Sequence, residues 1–372
     1  MKEAVIHMAI KSIDINNVLV FQRQWRKQNG DPKASTLKDD EFSDVFHLDF
    51  CDGINVIIGE NGVGKTSILK MIYAATQWSF QQVEPEKTKK LLHFFSDHLK
   101  DNDTLKNTDH KEGYCAFTVF TDEHRFEYSL SHNGIFNYDE WLGLNLASVF
   151  IPTTEMLSHA KGFLAMNQKY NMPFDGTQVD IIVNASLPET IAITPTMKSV
   201  LPDLSKVIQG TVIQENDVFY VVKEDGRKVD FSLEAEGFRK FGLVWKLIRN
   251  GLLEPGSILL WDEPEANLNP ELYPVLAQIL LKLQENGVQI ILATHSYNFA
   301  KYLEIRRKDP KQVQFHNLYW GTPDLPDEMN NVFPAENSGK VIYSTSAYKM
   351  EELSNNHIIK ADESLLDEIY DL

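Results

Sequence analysis

Apolar residues in this chain gather in short, nearly unbroken runs at 56–58, 147–151, 258–261 and 288–293. Runs of that length, rich in Val, Ile and Leu and bounded by Gly, Pro or acidic residues, predict strands buried on both faces. Elsewhere the pattern alternates. Ile6, Met8 and Ile10 share one phase, while Ile13 with Ile15 and Val18 with Val20 shift it, so residues 4–21 predict one or two strands with a turn or bulge between them. Residues 22–44 are mostly polar and read as a loop or hairpin extension, followed by a strand at 45–50. Segments 114–120 and 125–130, around the Thr121-Asp-Glu-His124 turn, predict a hairpin. Residues 211–231 predict further strands, with Asp225-Gly226 at a turn.

Helical patterning fills the remainder. It covers 66–76, 235–249 and 270–285, with the last lying between two buried-strand runs. Residues 81–112 predict a helical insertion with an apolar patch at Leu91-Leu-His-Phe-Phe95 and a mobile stretch at 101–111. Residues 153–204 are mainly helical in pattern, broken by Pro173, Pro188, Pro195 and Pro202. The end of the chain predicts a strand at 313–320 and one or two amphipathic helices in a tail at 340–372. No internal repeat, low-complexity tract or sustained heptad stands out.

The first buried run opens into Gly59-Glu-Asn-Gly-Val-Gly-Lys-Thr66, a P-loop pattern with a strand before it and a helix after it. Gly59, Gly62 and Gly64 let the backbone curl so that N–H groups of Glu60, Asn61, Val63 and their neighbours face a phosphate. Lys65 offers a point charge to the β- and γ-phosphates, the Thr66 hydroxyl suits Mg²⁺, and Ser67 continues the helix start facing the same phosphates. Two later strands point to the same site. Ile258-Leu-Leu-Trp-Asp262-Glu263 is a Walker B pattern, with Asp262 placed to hold Mg²⁺ and Glu263 to orient the attacking water. Ile290-Ile-Leu-Ala-Thr-His295-Ser delivers His295 to the same sheet edge, where it can contact a γ-phosphate.

Composition narrows the classes without choosing among them. Lys and Arg number 36 against 53 Asp and Glu, a net charge of −17, which does not indicate nucleic-acid binding as the main role. Cys51 and Cys115 form neither a disulfide framework nor a metal spacing and fit a reducing compartment. No run has membrane-spanning length and the first residues do not read as a signal peptide, so the expectation is a cytoplasmic protein without a membrane partner.

Together these motifs make the chain resemble the ABC-type ATPase superfamily, in the branch with SMC proteins and the OLD-like ATPases of bacterial anti-phage systems. The likeness runs from about Val5 to Tyr302, with the P-loop, the Walker B strand, a D-loop-like Glu265-Ala-Asn267-Leu-Asn269 and the Thr294-His-Ser296 switch in family order. It implies an α/β, two-lobed fold in one domain over 1–372: a mixed, largely parallel core sheet, an antiparallel β lobe and helical insertions. Val149-Phe-Ile-Pro-Thr-Thr-Glu-Met-Leu-Ser158 resembles the OLD-like segment that senses γ-phosphate and metal, with Glu155 as its candidate. The family's signature helix start, donated to the ATP of a second subunit, corresponds to Leu233-Glu-Ala235-Glu236-Gly237-Phe-Arg-Lys240. Here Ala235 replaces the phosphate-binding Ser. Arg239 or Lys240 either compensates through charge or is solvated.

The resemblance implies an ATP- and Mg²⁺-dependent ATPase that works as a homodimer or higher oligomer through shared sites and controls a separate effector, a nuclease or toxin. Two alternatives remain at this level: the nucleotide-binding subunit of a transporter, and an SMC-like DNA-repair ATPase. The second lacks its long coiled coil between P-loop and signature. A nuclease centre within the chain is not expected, because Asp324 and Asp327 have no acidic strand before them.

Overall fold

A computed structural model describes residues 8–22, 26–27, 42–43, 45–80, 92–96, 99, 101–107, 114–132, 134–136, 140–170, 172–321 and 340–370. Strands β1 (Ser12–Asn16), β2 (Arg26–Lys27), β3 (Phe42–Ser43) and β4 (Phe46–Asp49) precede β5 (Ile54–Gly59), which leads into helix α1 (Lys65–Gln77). Next come β6 (Ala116–Phe120), β7 (Arg125–Ser129), β8 (Gly134–Phe136) and β9 (Ser148–Ile151). Helices α2 (Phe163–Tyr170), α3 (Gly176–Ser186) and α4 (Pro195–Ile208) are followed by β10 (Gly210–Glu215), β11 (Val218–Lys223) and β12 (Lys228–Asp230). The remainder runs α5 (Glu236–Arg249), β13 (Ile258–Asp262), α6 (Tyr273–Glu285), β14 (Gln289–Ala293), α7 (Tyr297–Arg306), β15 (Val313–Gly321), β16 (Val341–Ala347) and α8 (His357–Tyr370).

The apolar runs build a six-stranded sheet in the order β16-β15-β5-β14-β13-β9, parallel except for β16. Every residue of β5, β13 and β14 is buried, as a parallel sheet covered on both faces requires. Successive side chains go to opposite faces. Val56, Ile58, Leu259, Trp261, Ile290 and Leu292 pack with α4, α5, α6 and α7, while Ile57, Ile258, Leu260, Ile291 and Ala293 pack with α1 and the second sheet. Each fully buried Ile, Leu or Val there contributes about 1.5–3 kcal/mol.

The second sheet is antiparallel, in the order β4-β1-β6-β7-β8, and forms the other lobe. Gln289 ties the lobes together. Its Oε1 accepts from the Ile10 N–H at 2.8 Å, and its Nε2 donates to the Ile10 and Cys51 carbonyls at 2.8 and 2.9 Å. A third antiparallel sheet, β10-β11-β12, stands before α5, and β2 pairs with β3. The fold is thus α/β with a mixed, largely parallel core sheet, antiparallel sheets and helices.

Several elements depart from the sequence pattern. The tail at 340–372 opens on β16 rather than a helix, because Val341-Ile-Tyr-Ser-Thr-Ser-Ala347 pairs with β15 along seven residues. Pro195 begins α4 at a position needing no N–H bond, and Pro202 sits inside that helix, which buried Val200, Leu204 and Ile208 anchor to the core. Residues 102–105 form a short helix capped by Asp101, and backbone bonds from Leu19 to Leu105 and from Asn107 to Asn17 fasten them to the end of β1. The expected mobility of 101–107 is therefore replaced by packing. The predicted strand phase at Ile6, residues 81–91, 97–98, 100 and 108–112 of the expected 81–112 insertion, Asp324 and Asp327 lie outside the described residues.

Candidate functional site

Register brings the motifs to one edge of the sheet. Asp262 lies beside Ala293, and Ala293 beside Ile57, so the ends of β13, β14 and β5 come level where ligands bind in such sheets. At Gly59 a Cβ would stand 2.1 Å from the Leu318 carbonyl oxygen, so only glycine allows β15 to pass this close to the loop. Gly64, at φ +88°, caps α1 in the left-handed region; a Cβ there would lie 2.6 Å from the Phe21 ring. The α1 N-terminus carries no side-chain cap and no acidic residue in its first turn, which leaves its N–H groups and positive end to the loop.

Within this cradle Val63 is buried, whereas Asn61 and Gly62 are exposed, and Glu60 and Ser67 are half-buried. Lys65 is buried and folds back to donate to the Gly59 and Glu60 carbonyls at 2.9 and 2.8 Å. Burial lowers its pKa to about 8, against the pull of Glu263 and Asp262, so the ammonium keeps its charge near neutral pH. The Thr66 hydroxyl donates to both Asp262 carboxylate oxygens at 3.1 and 3.0 Å. Thr153 donates to the same carboxylate at 3.0 Å. Burial raises the Asp262 pKa while these two hydroxyls oppose the shift.

Glu263 follows with φ +48°, a left-handed conformation that is costly outside glycine. Its N–H donates to the Ala293 carbonyl at 2.9 Å, and its carboxylate lies 3.4 Å from His295 Nε2. Burial, with the Lys65 charge second, lowers the His295 pKa, so the imidazole is neutral at pH 7 and this contact is polar rather than ionic. Glu265 is buried beneath the pair. It accepts from the Thr294 hydroxyl and from the His295 N–H at 3.1 Å, while its Oε2 finds no hydrogen-bond partner among the described residues.

The signature and D-loop segments meet within one chain. Glu236 accepts from Asn267 Nδ2 at 2.8 Å, and a Cβ on Gly237 would lie 2.8 Å from Leu268 Cδ1. Ala235 caps α5 without a side-chain bond and is exposed. Asn269 caps the turn at 270–272. Neither Arg239 nor Lys240 is solvated or free to replace a lost Ser contact. Arg239 pairs with Glu155 at 2.9 Å, and Lys240 is buried against the Glu263 and Pro264 carbonyls. Glu155 is thus occupied by Arg239 and by the Leu157 and Ser158 N–H groups. The residue of its loop that touches the Asp262 carboxylate is Thr153, which the sequence did not single out.

An oxygen-only pair, Thr66 and Asp262, suits a hard cation that keeps water and phosphate ligands. No group of three His, Cys, Asp or Glu among the described residues could hold a metal by itself. Beside the P-loop, Glu60, Asn61, His295, Asn298 and His357 line an open groove of about 560 Å³, and His357 pairs with Glu60 at 3.1 Å. A larger groove, of about 660 Å³, lies at the opposite sheet edge near Gly53 and Gln312, away from every motif. No described helix is long and apolar enough to cross a membrane.

Residues 183–300 match the family described as "AAA domain, putative AbiEii toxin, Type IV TA system", and residues 41–143 match a family described as AAA domain. An arginine transport ATP-binding protein of Haemophilus influenzae is 37% identical over 54 residues, which are 14% of this chain and about a fifth (22%) of that relative. Among solved structures, the SMC head domain from Thermotoga maritima aligns at 14% identity and TM-score 0.40 over 84% of this chain and 95% of that one. The Pyrococcus furiosus Smc head bound to the C-terminal domain of ScpA aligns at 9% identity and TM-score 0.46, over 98% and 100%. A bacterial ABC transporter cassette in dimeric form aligns at 14% identity and TM-score 0.32, over 82% and 94%. One match spans the loop at 59–66, and the other spans residues 235–240, 258–263 and 294–296.

Proposed function

We propose that this chain is a Mg²⁺-dependent ATPase, acting in the cytoplasm as one domain, whose cycle controls a separate effector protein in anti-phage defence. One observation carries the chemical part: Lys65, Thr66, Thr153, Asp262, Glu263 and His295 converge on the uncapped start of α1. In this reading the P-loop N–H groups and Lys65 bind the β- and γ-phosphates. Thr66 and Asp262 hold Mg²⁺, which when bound neutralises charge on the phosphates. The Glu263 carboxylate orients the water for in-line attack and receives its proton, and neutral His295 donates a hydrogen bond at the γ-phosphate.

The defence role is supported by the toxin–antitoxin description of the family matching 183–300. A transporter role has the short arginine-transport match in its favour, but that match spans too little of either chain to set against it. We further propose a composite site in a homodimer. The start of α5, with Ala235 exposed and Glu236 and Gly237 half-buried, carries no side-chain cap, which leaves its N–H groups to the ATP of a second copy, with Asn267 beside it and Asn269 further along the same loop. The test is phosphate release by the purified chain with ATP, with and without Mg²⁺. Turnover should require Mg²⁺ and vanish with ATP binding in Lys65→Ala; a wild-type chain that binds ATP but releases no phosphate overturns the ATPase reading.

A further inference from the structure

Cations along α5 differ in what they meet. Arg239 ends on the Glu155 carboxylate at 2.9 Å and Lys246 on Glu189 at 3.0 Å, both ordinary ion pairs. Lys240, 5% exposed, instead donates to two main-chain carbonyls, those of Glu263 at 3.1 Å and Pro264 at 3.4 Å. A buried ammonium is a poor choice for packing alone, since an apolar side chain of similar volume holds a core at least as well. The carbonyls it meets belong to the turn on which the proposed chemistry depends.

Glu263 needs such support. It is a non-glycine residue at φ +48°, and its side chain must face His295 and the nucleotide rather than the protein interior. Its N–H is held by the Ala293 carbonyl at 2.9 Å, and its carbonyl accepts from the Ala266 N–H at 3.1 Å as well as from Lys240. The peptide on each side of Glu263 is thereby fixed, while the carboxylate stays clear of those bonds. Lys240 also lies one turn beyond Gly237, whose helix start packs on Leu268. One side chain thus joins the first turns of α5 to the Glu263 carbonyl.

We propose that Lys240 is a positioning residue: it holds the Glu263 backbone in its left-handed turn and links that turn to the start of α5. This deepens the ATPase reading and rests on it for its kinetic consequence, but the contact itself can be tested without ATP. The experiment compares full-length Lys240→Met and Lys240→Gln with Lys246→Met, which removes a buried cation from the same helix at a place remote from Glu263. Three quantities are measured: amide hydrogen exchange across 262–267 without nucleotide, ATP binding by equilibrium dialysis, and steady-state phosphate release.

For Lys240→Met, exchange at the Glu263 and Ala266 amides should rise about tenfold or more, kcat should fall about tenfold or more, and the ATP Kd should change less than about twofold. Lys246→Met should leave the exchange pattern and kcat as in the wild type. Unchanged exchange in a folded Lys240 variant overturns the proposal whatever the kinetics. So does equal loss of kcat in Lys246→Met, and so does failure of both Lys240 variants to fold under conditions where Lys246→Met folds. If exchange rises but the wild type releases no phosphate, the backbone contact stands and the ATPase reading falls instead.

Discussion

Replacing Thr294 with Val keeps the shape of a fully buried side chain and removes one hydroxyl from beneath the catalytic candidates. The Thr294 hydroxyl donates to Glu265, which also accepts from the His295 N–H at 3.1 Å. The hydroxyl itself accepts from the Ser296 N–H at 3.0 Å, a bond the variant loses in addition at any pH. Glu265 is 8% exposed, and burial raises its pKa, with the Thr294 bond the largest influence in the other direction. A hydrogen bond to a buried ionised group is worth about 1.5–3 kcal/mol, and that is the expected destabilisation where Glu265 is charged. Where it is protonated, the lost bond is neutral and costs about 0.5–1.5 kcal/mol. The sign follows from the raised pKa. The folded state holds its proton to higher pH than the unfolded chain, whose ordinary value is 4.5, so Glu265 costs the fold stability as pH rises through that window. Thr294→Val widens the window upward, so its penalty should grow with pH. Urea unfolding of wild type and variant at about pH 4.5, where the window opens, and at about pH 8 checks this through the midpoint at constant m-value. A penalty below about 0.5 kcal/mol at the higher pH, or one that shrinks as pH rises, would refute the reasoning.

Gly64→Ala should destabilise by about 2–4 kcal/mol, combining a left-handed alanine with displacement of the buried Phe21 ring, and should abolish ATP binding; urea unfolding and equilibrium dialysis read both. For the composite site, two inactive variants are mixed. Lys65→Ala carries the lesion on the P-loop side, and Ala235→Arg is preferred to a change at Gly237 because a side chain there would disturb Leu268 in its own chain. Mixed dimers should regain one intact site and measurable phosphate release, and no recovery in dimers shown to have exchanged subunits would contradict a shared site.

The site was legible where its chemistry is local. The turns after β5 and β13 carry their glycines and carboxylates in sequence, and continuous burial made both strands plain as apolar runs. What escaped depends on contacts between distant segments. Thr153 matters because β9 lies beside β13 and so brings it to Asp262, 109 residues away. Lys240 read either as a compensating signature charge or as solvated, since nothing in residues 233–240 shows that α5 turns it inward to the Glu263 carbonyl. Glu265 stood in a recognised loop, yet its burial under Thr294 is visible only once β14 is in place. The same holds for β16: Val341-Ile-Tyr343 followed by Ser-Thr-Ser346 shows no period of two, and the segment becomes a strand by pairing with β15.

Glu263→Gln tests the central claim most directly. The amide keeps the size of the side chain and leaves Lys65, Thr66 and Asp262 as they are, so ATP should bind with a Kd within about threefold of wild type. Loss of the carboxylate near His295 should cut phosphate release by about 100-fold or more in single-turnover reactions with Mg²⁺ and excess protein. Turnover equal to wild type in that variant would contradict the assignment of Glu263 to the attacking water.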